Sequence, residues 1–260
     1  ATASLLPEIQ NIYWIDLENS RDTIFSMDLP DWALKKIKLF TLLDTRKEPH
    51  VMNTVLRMFS SKTDIPICEE HGRMNCLLCN SEKKPFQTFN LTKMTHNDLL
   101  VLDSGSQLAD CGVNALLKGQ PEEAILQIQE YGTINNWLSA IFQVIQIGRF
   151  VSTIVLTQTY YDEEYSGTGP NKTLVRTRLF PLVGTKNYST KVGKFFGTTI
   201  FLEVKGGKHI GGSSTTYRVN VQTKSRLNVA VEKAPEIAMA MKEILVKSGI
   251  IRPMKEEGVK

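Results

Sequence analysis

The chain contains few cysteines and no long apolar run. Three of its four cysteines, Cys68, Cys76 and Cys79, fall within a dozen positions. A disulfide scaffold would spread its cysteines along the chain, so this clustering favours free thiols in a reducing compartment, the cytoplasm or the nucleus. No apolar run reaches the roughly 18 to 20 residues of a membrane-spanning helix. The first ten residues lack the basic and apolar segments of a signal peptide. We therefore expect an intracellular protein without a transmembrane segment.

Aspartate is absent after Asp162, and the two parts of the chain differ strongly in charge. Residues 167–260 contain 17 lysines or arginines and 6 glutamates, which gives a net charge of +11. Residues 1–166 contain 14 basic and 21 acidic residues, a net charge of −7, so the whole chain carries only +4. An asymmetry of this size indicates a part of the protein that faces a polyanion.

Apolar residues recur at helical spacing in the first 150 residues. Asp31 is a candidate N-cap for a helix that continues through residues 34–43, and residues 51–59 have the same period. Pro121 predicts the first turn of another helix, which Gly132 would end. This part therefore reads as helices joined by irregular segments.

The period changes to that of strands after residue 150. Residues 152–160 and 173–183 are rich in β-branched and aromatic side chains. Residues 197–205 and 215–223 are typical of the two arms of a hairpin, joined by a glycine-rich connection. Pro235 predicts the start of a final helix, which Gly249 would end.

These patterns predict an α+β protein with two domains. The first domain, residues 1–150, would be α-rich and contain a zinc-binding loop within residues 61–98. The second, residues 151–260, would be a basic, β-rich domain with an antiparallel sheet and a closing C-terminal helix. We expect residues 162–170 to form an exposed connector near the boundary.

One short stretch carries three cysteines and one histidine in the pattern C-x2-H-x4-C-x2-C: Cys68, His71, Cys76 and Cys79. Zinc takes four tetrahedral ligands, and short spacings let one loop supply them without strain. The spacing resembles that of retroviral-type zinc knuckles, although histidine is here the second ligand rather than the third. From this resemblance we infer a bound zinc ion, but not the RNA-binding role of those knuckles. Either His50 or Cys111 is an alternative to His71 as the fourth zinc ligand. Four ligands in one compact loop predict a closed, structural zinc site rather than a catalytic one.

Basic residues interleave with aromatic ones between residues 167 and 231, where 11 lysines or arginines accompany a single acidic residue, Glu203. Lysine and arginine neutralise phosphates, and exposed aromatic rings stack on bases. We therefore predict a face that binds RNA or another single-stranded nucleic acid. An anionic membrane surface is an alternative partner, and so is a solvated face that balances the acidic N-terminal part. The candidate binding residues are Lys186, Lys191, Lys194, Lys205, Lys208, Arg218, Lys224 and Arg226.

Cys111 gives a competing hypothesis, a cysteine peptidase. Its segment resembles the nucleophile segments of such enzymes, because a helix start favours a thiolate and Gln107 is a candidate for the oxyanion hole. His209 would act as the base, with Asn220 or Asn228 to orient it.

The prediction that the residues favour is a zinc-containing protein that binds a polyanion without catalysis. A viral nucleocapsid or matrix protein is a specific version of this hypothesis. The helical N-terminal part would then supply self-association or a contact with another protein.

Overall fold

A computed structural model of the protein describes residues 2–148, 151–199, 201–205, 208–212, 219–221 and 224–225. Its helices are α1 Arg21–Phe25, α2 Asp31–Leu34, α3 Val51–Ser60, α4 Leu77–Ser81, α5 Gly105–Leu116, α6 Ile128–Ile147 and α7 Lys186–Ser189. The strands are β1 Asn11–Asp16, β2 Ile37–Thr41, β3 Ile65–Cys68, β4 Phe86–Phe89, β5 Asp98–Asp103, β6 Ser152–Val155, β7 Gln158–Ser166, β8 Thr173–Leu182, β9 Thr198–Thr199, β10 Phe201–Lys205, β11 Lys208–Gly212, β12 Val219–Val221 and β13 Lys224–Ser225. Short 3-10 helices occur at Thr2–Leu5, Leu91–Lys93, Gly169–Asn171 and Val192–Phe195.

A four-stranded parallel sheet forms the centre of the N-terminal part. Its strand order is β2-β1-β5-β6, and all three pairings are parallel. The protein mixes helices and strands, as predicted, and more residues of the N-terminal part are helical than in strands, but this part is built around a sheet that was not predicted. The sheet also includes β6, which lies beyond residue 150, the predicted end of the first domain.

Both faces of this sheet are covered, which explains the near-continuous apolar sequences of its central strands. On one face, Leu100 and Leu102 of β5 belong to the main core with helices α3, α5 and α6. On the other face, Leu99 and Val101 pack in a smaller core with residues from the N-terminal segment. Because β5 is apolar on both sides, it lacks the alternation that distinguishes a strand from a buried helix.

The predicted helix through residues 34–43 is wrong. Helix α2 ends at Leu34, its N-cap is Pro30 rather than Asp31, and the chain continues into β2. Apolar residues of β2 lie in both cores, with Phe40 on the helix side and Ile37 on the other. Because this short strand has apolar residues on both faces, their spacing along the sequence also fits one face of a helix.

Helix α3 confirms the helix expected at residues 51–59, whereas α6 differs at both ends from the helix predicted between Pro121 and Gly132. Helix α6 runs without a break through Gly132. It begins at Ile128 because Gln127 and Glu130 form a capping box, so Pro121 lies outside it. A glycine inside a helix weakens it without ending it.

The C-terminal part is only partly the antiparallel sheet that was expected. Strands β7 and β8 pair antiparallel, but β12 joins β8 in parallel. Residues 162–166 belong to β7, so more than half of the predicted connector is a strand, and only its residues 167–170 lie beyond that strand. The predicted hairpin is also wrong, because β10 pairs with β11. The predicted closing helix lies outside the described residues.

The burial of α6 gives a test of the core. Leu138 is fully buried and Ile128, on the same helix, is 88% exposed. We expect Leu138→Ala to lower the free energy of unfolding by about 2–5 kcal/mol. The matched control, Ile128→Ala, should change it by less than about 0.5 kcal/mol. Denaturant unfolding followed by circular dichroism measures both, and equal effects would contradict the assigned core.

Candidate functional site

The four predicted metal ligands come together in the structure. One ligand atom from each of Cys68, His71, Cys76 and Cys79 lies within 4.8 Å of the other three, so the cluster can hold a metal ion. The His71 Nδ1 atom is 3.1 Å from the sulfur of Cys79 and 3.6 Å from that of Cys76. The cluster found in the described residues includes neither His50 nor Cys111. His71 is therefore the residue of this group that can supply the fourth ligand atom.

Short elements position the ligands. Strand β3 ends at Cys68 and pairs antiparallel with β4, and α4 starts directly after Cys76 and carries Cys79. Between them, Gly72 has a positive φ of 62°. Its N–H donates to the Cys68 carbonyl at 3.0 Å. The N–H of Arg73 donates to the Cys68 sulfur at 3.3 Å. The turn thus points one backbone donor, the Arg73 N–H, at the Cys68 sulfur, and such a bond favours the thiolate form of a ligand.

The three thiols affect one another's protonation. A hydrogen bond from the Cys79 backbone lowers the pKa of Cys76 to about 7. Burial, followed by hydrogen bonds that the Cys79 thiol donates to the other two sulfurs, raises the pKa of Cys79 to about 12. Three buried thiols form a small cluster of their own with Phe86. A bound cation is what would allow all three to ionise together.

Cys111 does not have the environment of a nucleophile. It lies within α5 rather than at its start, and its side chain is 1% exposed. Burial, and secondarily the charge of Asp44, raises the pKa of its thiol. A reactive cysteine needs the opposite shift. Gln107 lies on the same helix. His209 and Asn220 lie in β11 and β12, and Asn228 lies outside the described residues.

The predicted nucleic-acid residues are distributed over several elements. Lys186 starts α7 and forms an ion pair of 2.6 Å with Asp162. Lys191 precedes the 3-10 helix that contains Lys194, whose ammonium lies 4.7 Å from the centre of the Phe195 ring. The other five candidates lie in strands or outside the described residues. Lys205, Lys208 and Lys224 lie in β10, β11 and β13, and Arg218 and Arg226 are outside the described residues.

A second group of side chains, which the sequence did not reveal, lies at the carboxyl edge of the parallel sheet. Asp16 ends β1 and Asp103 ends β5, and the two are partners in the parallel register. The chain passes from β1 to β2 on one side and later to β5 on the other, so the strand order changes direction at β1. In open α/β sheets, ligands bind in the crevice at this position. We call Asp16, Glu18, Asp103 and Asp110 the carboxylate edge.

Hydrogen bonds hold the carboxylate edge in place. The Oδ1 atom of the fully buried Asp16 accepts from the N–H groups of Glu18 and Ser20, at 3.1 and 3.0 Å. The Ser20 hydroxyl lies 3.0 Å from Asp16 Oδ1 and 3.2 Å from Asp103 Oδ2, and so lies between the two carboxylates. The Ser104 hydroxyl donates to Glu18.

Charge repulsion accompanies this arrangement. Burial raises the pKa of Asp103, and the nearby charges of Glu18 and Asp16 raise it further. Burial and the charge of Glu18 also raise the pKa of Asp110. The ion pairs found among the described residues include none of these four carboxylates.

One sequence signal points to this edge. The segments of β1 and β5, NIYWID and DLLVLD, are both short apolar runs that end in aspartate. If both runs are taken as buried parallel strands, their final residues must meet at one edge of the sheet. The signal depends on that assignment, because the same runs also fit buried helices.

Comparisons with known proteins give no family for this chain. No protein-family model, no curated protein and no solved structure matches it. In the part of the chain that is described, no helix combines the length and apolar character needed to cross a membrane.

The metal cluster gives a test with a matched thiol control. We expect the purified protein to contain one zinc ion, and Cys76→Ser to lose it, because a hydroxyl is a poor zinc ligand. Cys111→Ser should keep the zinc, since its sulfur is outside the cluster, although it perturbs the core. Native mass spectrometry gives the metal content of each variant. A protein free of metal after purification with added zinc, or equal zinc in both variants, would contradict the site.

Proposed function

We propose that the protein hydrolyses phosphodiester bonds of single-stranded nucleic acid, most simply RNA, with a divalent cation bound at the carboxylate edge. A separate zinc ion on Cys68, His71, Cys76 and Cys79 would stabilise the fold. The observation that carries the proposal is the position of Asp16 and Asp103. They lie side by side at the point where the strand order of a parallel sheet reverses.

The chemistry of the carboxylate edge supports a hard divalent cation. Mg²⁺ and Mn²⁺ prefer oxygen ligands, and Mg²⁺ is usually held by one or two carboxylates together with water and substrate phosphate. The side chains of Asp16 and Asp103 come from different strands, and Glu18 and Asp110 come from a loop and a helix. The raised pKa of Asp103 reflects an unfavourable negative charge that a cation would relieve.

The start of helix α5 lies next to the same edge. Helix α5 starts two residues after Asp103 and has 12 residues, so its N-terminal end favours a negative charge there. A polyanion would be repelled by four carboxylates alone, and a cation between them and the phosphate removes that repulsion. The excess of basic residues after residue 166 supports the same class of substrate.

The hydrolysis step uses groups of known chemistry. A bound cation would make a water molecule more acidic and neutralise charge on the phosphate. One carboxylate of the edge accepts a proton as the water oxygen forms a bond to phosphorus. The ester bond between phosphorus and the leaving oxygen breaks, and that oxygen takes a proton from solvent. The products are a phosphate monoester and an alcohol.

Asp103 provides the sharpest test, because function and stability should change in opposite directions. A raised pKa in the folded state means that the ionised carboxylate destabilises the fold, and this cost grows as the pH rises through that pKa. At neutral pH without divalent cations, Asp103→Asn should therefore raise the melting temperature. It should also reduce Mn²⁺ binding and RNA cleavage at least tenfold, as expected when a site loses a ligand.

The exposed Asp28 supplies the control, since Asp28→Asn removes the same charge away from the edge. Titration calorimetry with Mn²⁺, cleavage of a fluorescent single-stranded RNA and thermal unfolding are measured on all three proteins. Wild-type protein that binds no Mn²⁺ would refute the cation site. Mn²⁺ binding without cleavage would refute the hydrolase and leave a cation-dependent binding protein.

Nucleic-acid binding has its own test. We expect the protein to retard single-stranded RNA in a gel at about 100 mM salt, with an affinity that falls steeply as salt rises. Replacing Lys205, Lys208 and Arg218 together by glutamine should weaken retardation, while lipid vesicles with anionic headgroups should not compete. If RNA is not retarded and the triple variant behaves like wild type, nucleic acid is not the partner.

Other hypotheses from the sequence have less support. The buried thiol of Cys111 gives no reason to propose a peptidase. Self-association and a role in viral assembly stay predictions, since no described contact bears on them.

A further inference from the structure

Three thiols and one imidazole form the metal cluster, and two of the thiols come from the same short helical turn. We propose that Cys76 and Cys79 form a redox switch, in which a hydroperoxide joins their sulfurs in a disulfide bond and the metal ion is released. This inference rests on the zinc site proposed above and is independent of the carboxylate edge. The positions of the four cysteines carry it.

The three sulfurs of the cluster are free and close enough to pair. Cys68, Cys76 and Cys79 form no disulfide bond in the structure, and their sulfur atoms lie within 4.8 Å of one another. A disulfide bond is about 2 Å long, so a movement of at most about 3 Å closes one. Metal coordination and disulfide formation are therefore alternative uses of the same atoms.

Backbone contacts favour Cys76 and Cys79 as the pair. Cys68 ends strand β3, and its sulfur accepts a hydrogen bond from the Arg73 N–H at 3.3 Å. Its own N–H donates to the Arg73 carbonyl at 3.1 Å, which holds the residue in the turn. Cys76 and Cys79 instead lie at the start of α4, a helix of only five residues. The spacing Cys-x-x-Cys at a helix start is that of reactive dithiols, so we expect Cys68 to keep its thiol.

The surroundings of the pair allow the reaction. The three cysteines form a small cluster with Phe86, apart from the main core. Leu77 and Leu78, which separate Cys76 from Cys79, are exposed. Cys76 is itself buried, but it is the most exposed cysteine of the chain at 7%. A small hydroperoxide needs to reach only this sulfur first, and α4 can adjust without disturbing the main core.

Cys111 lacks both conditions. Its side chain is 1% exposed within α5 and belongs to the main core. It also lies outside the cluster that brings the other three thiols together. The chain thus contains its own control, a cysteine that should resist oxidation under conditions in which Cys76 and Cys79 react.

The oxidation proceeds in two steps. The Cys76 thiolate attacks one oxygen of hydrogen peroxide, the O–O bond breaks, and hydroxide leaves, which gives a sulfenic acid. The Cys79 thiolate then attacks this sulfur, a second hydroxide leaves, and the S–S bond forms. Two electrons pass from the sulfurs to the peroxide, and two protons from solvent convert the two hydroxides to water.

Loss of two ligands releases the metal and loosens the loop around it. Cys68 and His71 alone would remain, whereas a structural zinc ion takes four ligands. Gly72, which follows His71, packs against the end of β2, where an added Cβ atom would clash with the Thr41 carbonyl oxygen. Because metal binding stabilises the folded loop, we expect oxidation to lower the melting temperature as well.

The experiment treats the zinc-loaded protein with hydrogen peroxide and follows free zinc with a chromogenic chelator. We expect one zinc ion to be released for each disulfide formed, with a loss of mass of two hydrogen atoms. Alkylation in denaturant should then detect two thiols, those of Cys68 and Cys111, and peptide mass spectrometry should identify the bond between Cys76 and Cys79. A thiol reductant with added zinc should restore the metal content and the melting temperature.

Two variants test the choice of cysteines. Cys111→Ser should release zinc as the wild-type protein does. Cys68→Ser should still form the disulfide, because it keeps both members of the pair. Zinc that stays bound after peroxide treatment, or a disulfide that includes Cys68 or Cys111, would overturn the switch. A reduced wild-type protein that binds no zinc would refute the zinc site itself, and the switch with it.

Discussion

The in-register pairing of β1 with β5 is the constraint on which the rest of the structure depends. It places buried aliphatic side chains of both strands at the centre of two cores, with Ile15 on one side and Ile12 on the other. The same register forces Asp16 and Asp103 to be neighbours at the carboxyl edge. Burial of the apolar runs stabilises the pairing, whereas the adjacent carboxylates oppose it. Burial of the apolar runs therefore offsets the cost of holding the two carboxylates side by side.

The loop of residues 68–79, which carries the cysteine and histidine cluster, depends on this sheet in a different way. Its three cysteines form a separate small cluster, apart from the main core. Such a cluster contains too little apolar surface to fix a loop by burial, and a bound metal ion would supply the missing stability. The loop then reaches the sheet through the backbone contact of Gly72 with the end of β2.

Local patterns predicted the metal cluster well and the sheet poorly. Cys68 and Cys79 are eleven positions apart, so their spacing alone limits how they can meet, and the amphipathic α3 is equally local. The carboxylate edge joins residues 87 positions apart, and it exists only once β1 and β5 are paired. Their apolar runs are short and buried on both faces, so period alone does not separate strand from helix. Parallel pairing adds no turn signal, because the paired strands are joined by long connections.

The separation of acidic and basic residues along the sequence is not a separation in space. The boundary near residue 166 separated an acidic part from a basic part, yet β7 and β8 pair across it. Asp162 forms an ion pair with Lys186, and Glu164 with Arg178, at 2.6 and 3.0 Å. Some of the basic charge that indicated a polyanion is thus offset by acids that precede the boundary. Because exposed pairs of this kind are weak and screened by salt, a phosphate chain can still compete for those cations. The basic residues would then bind a phosphate chain only weakly. A divalent cation at the carboxylate edge would supply the stronger and more localised contact.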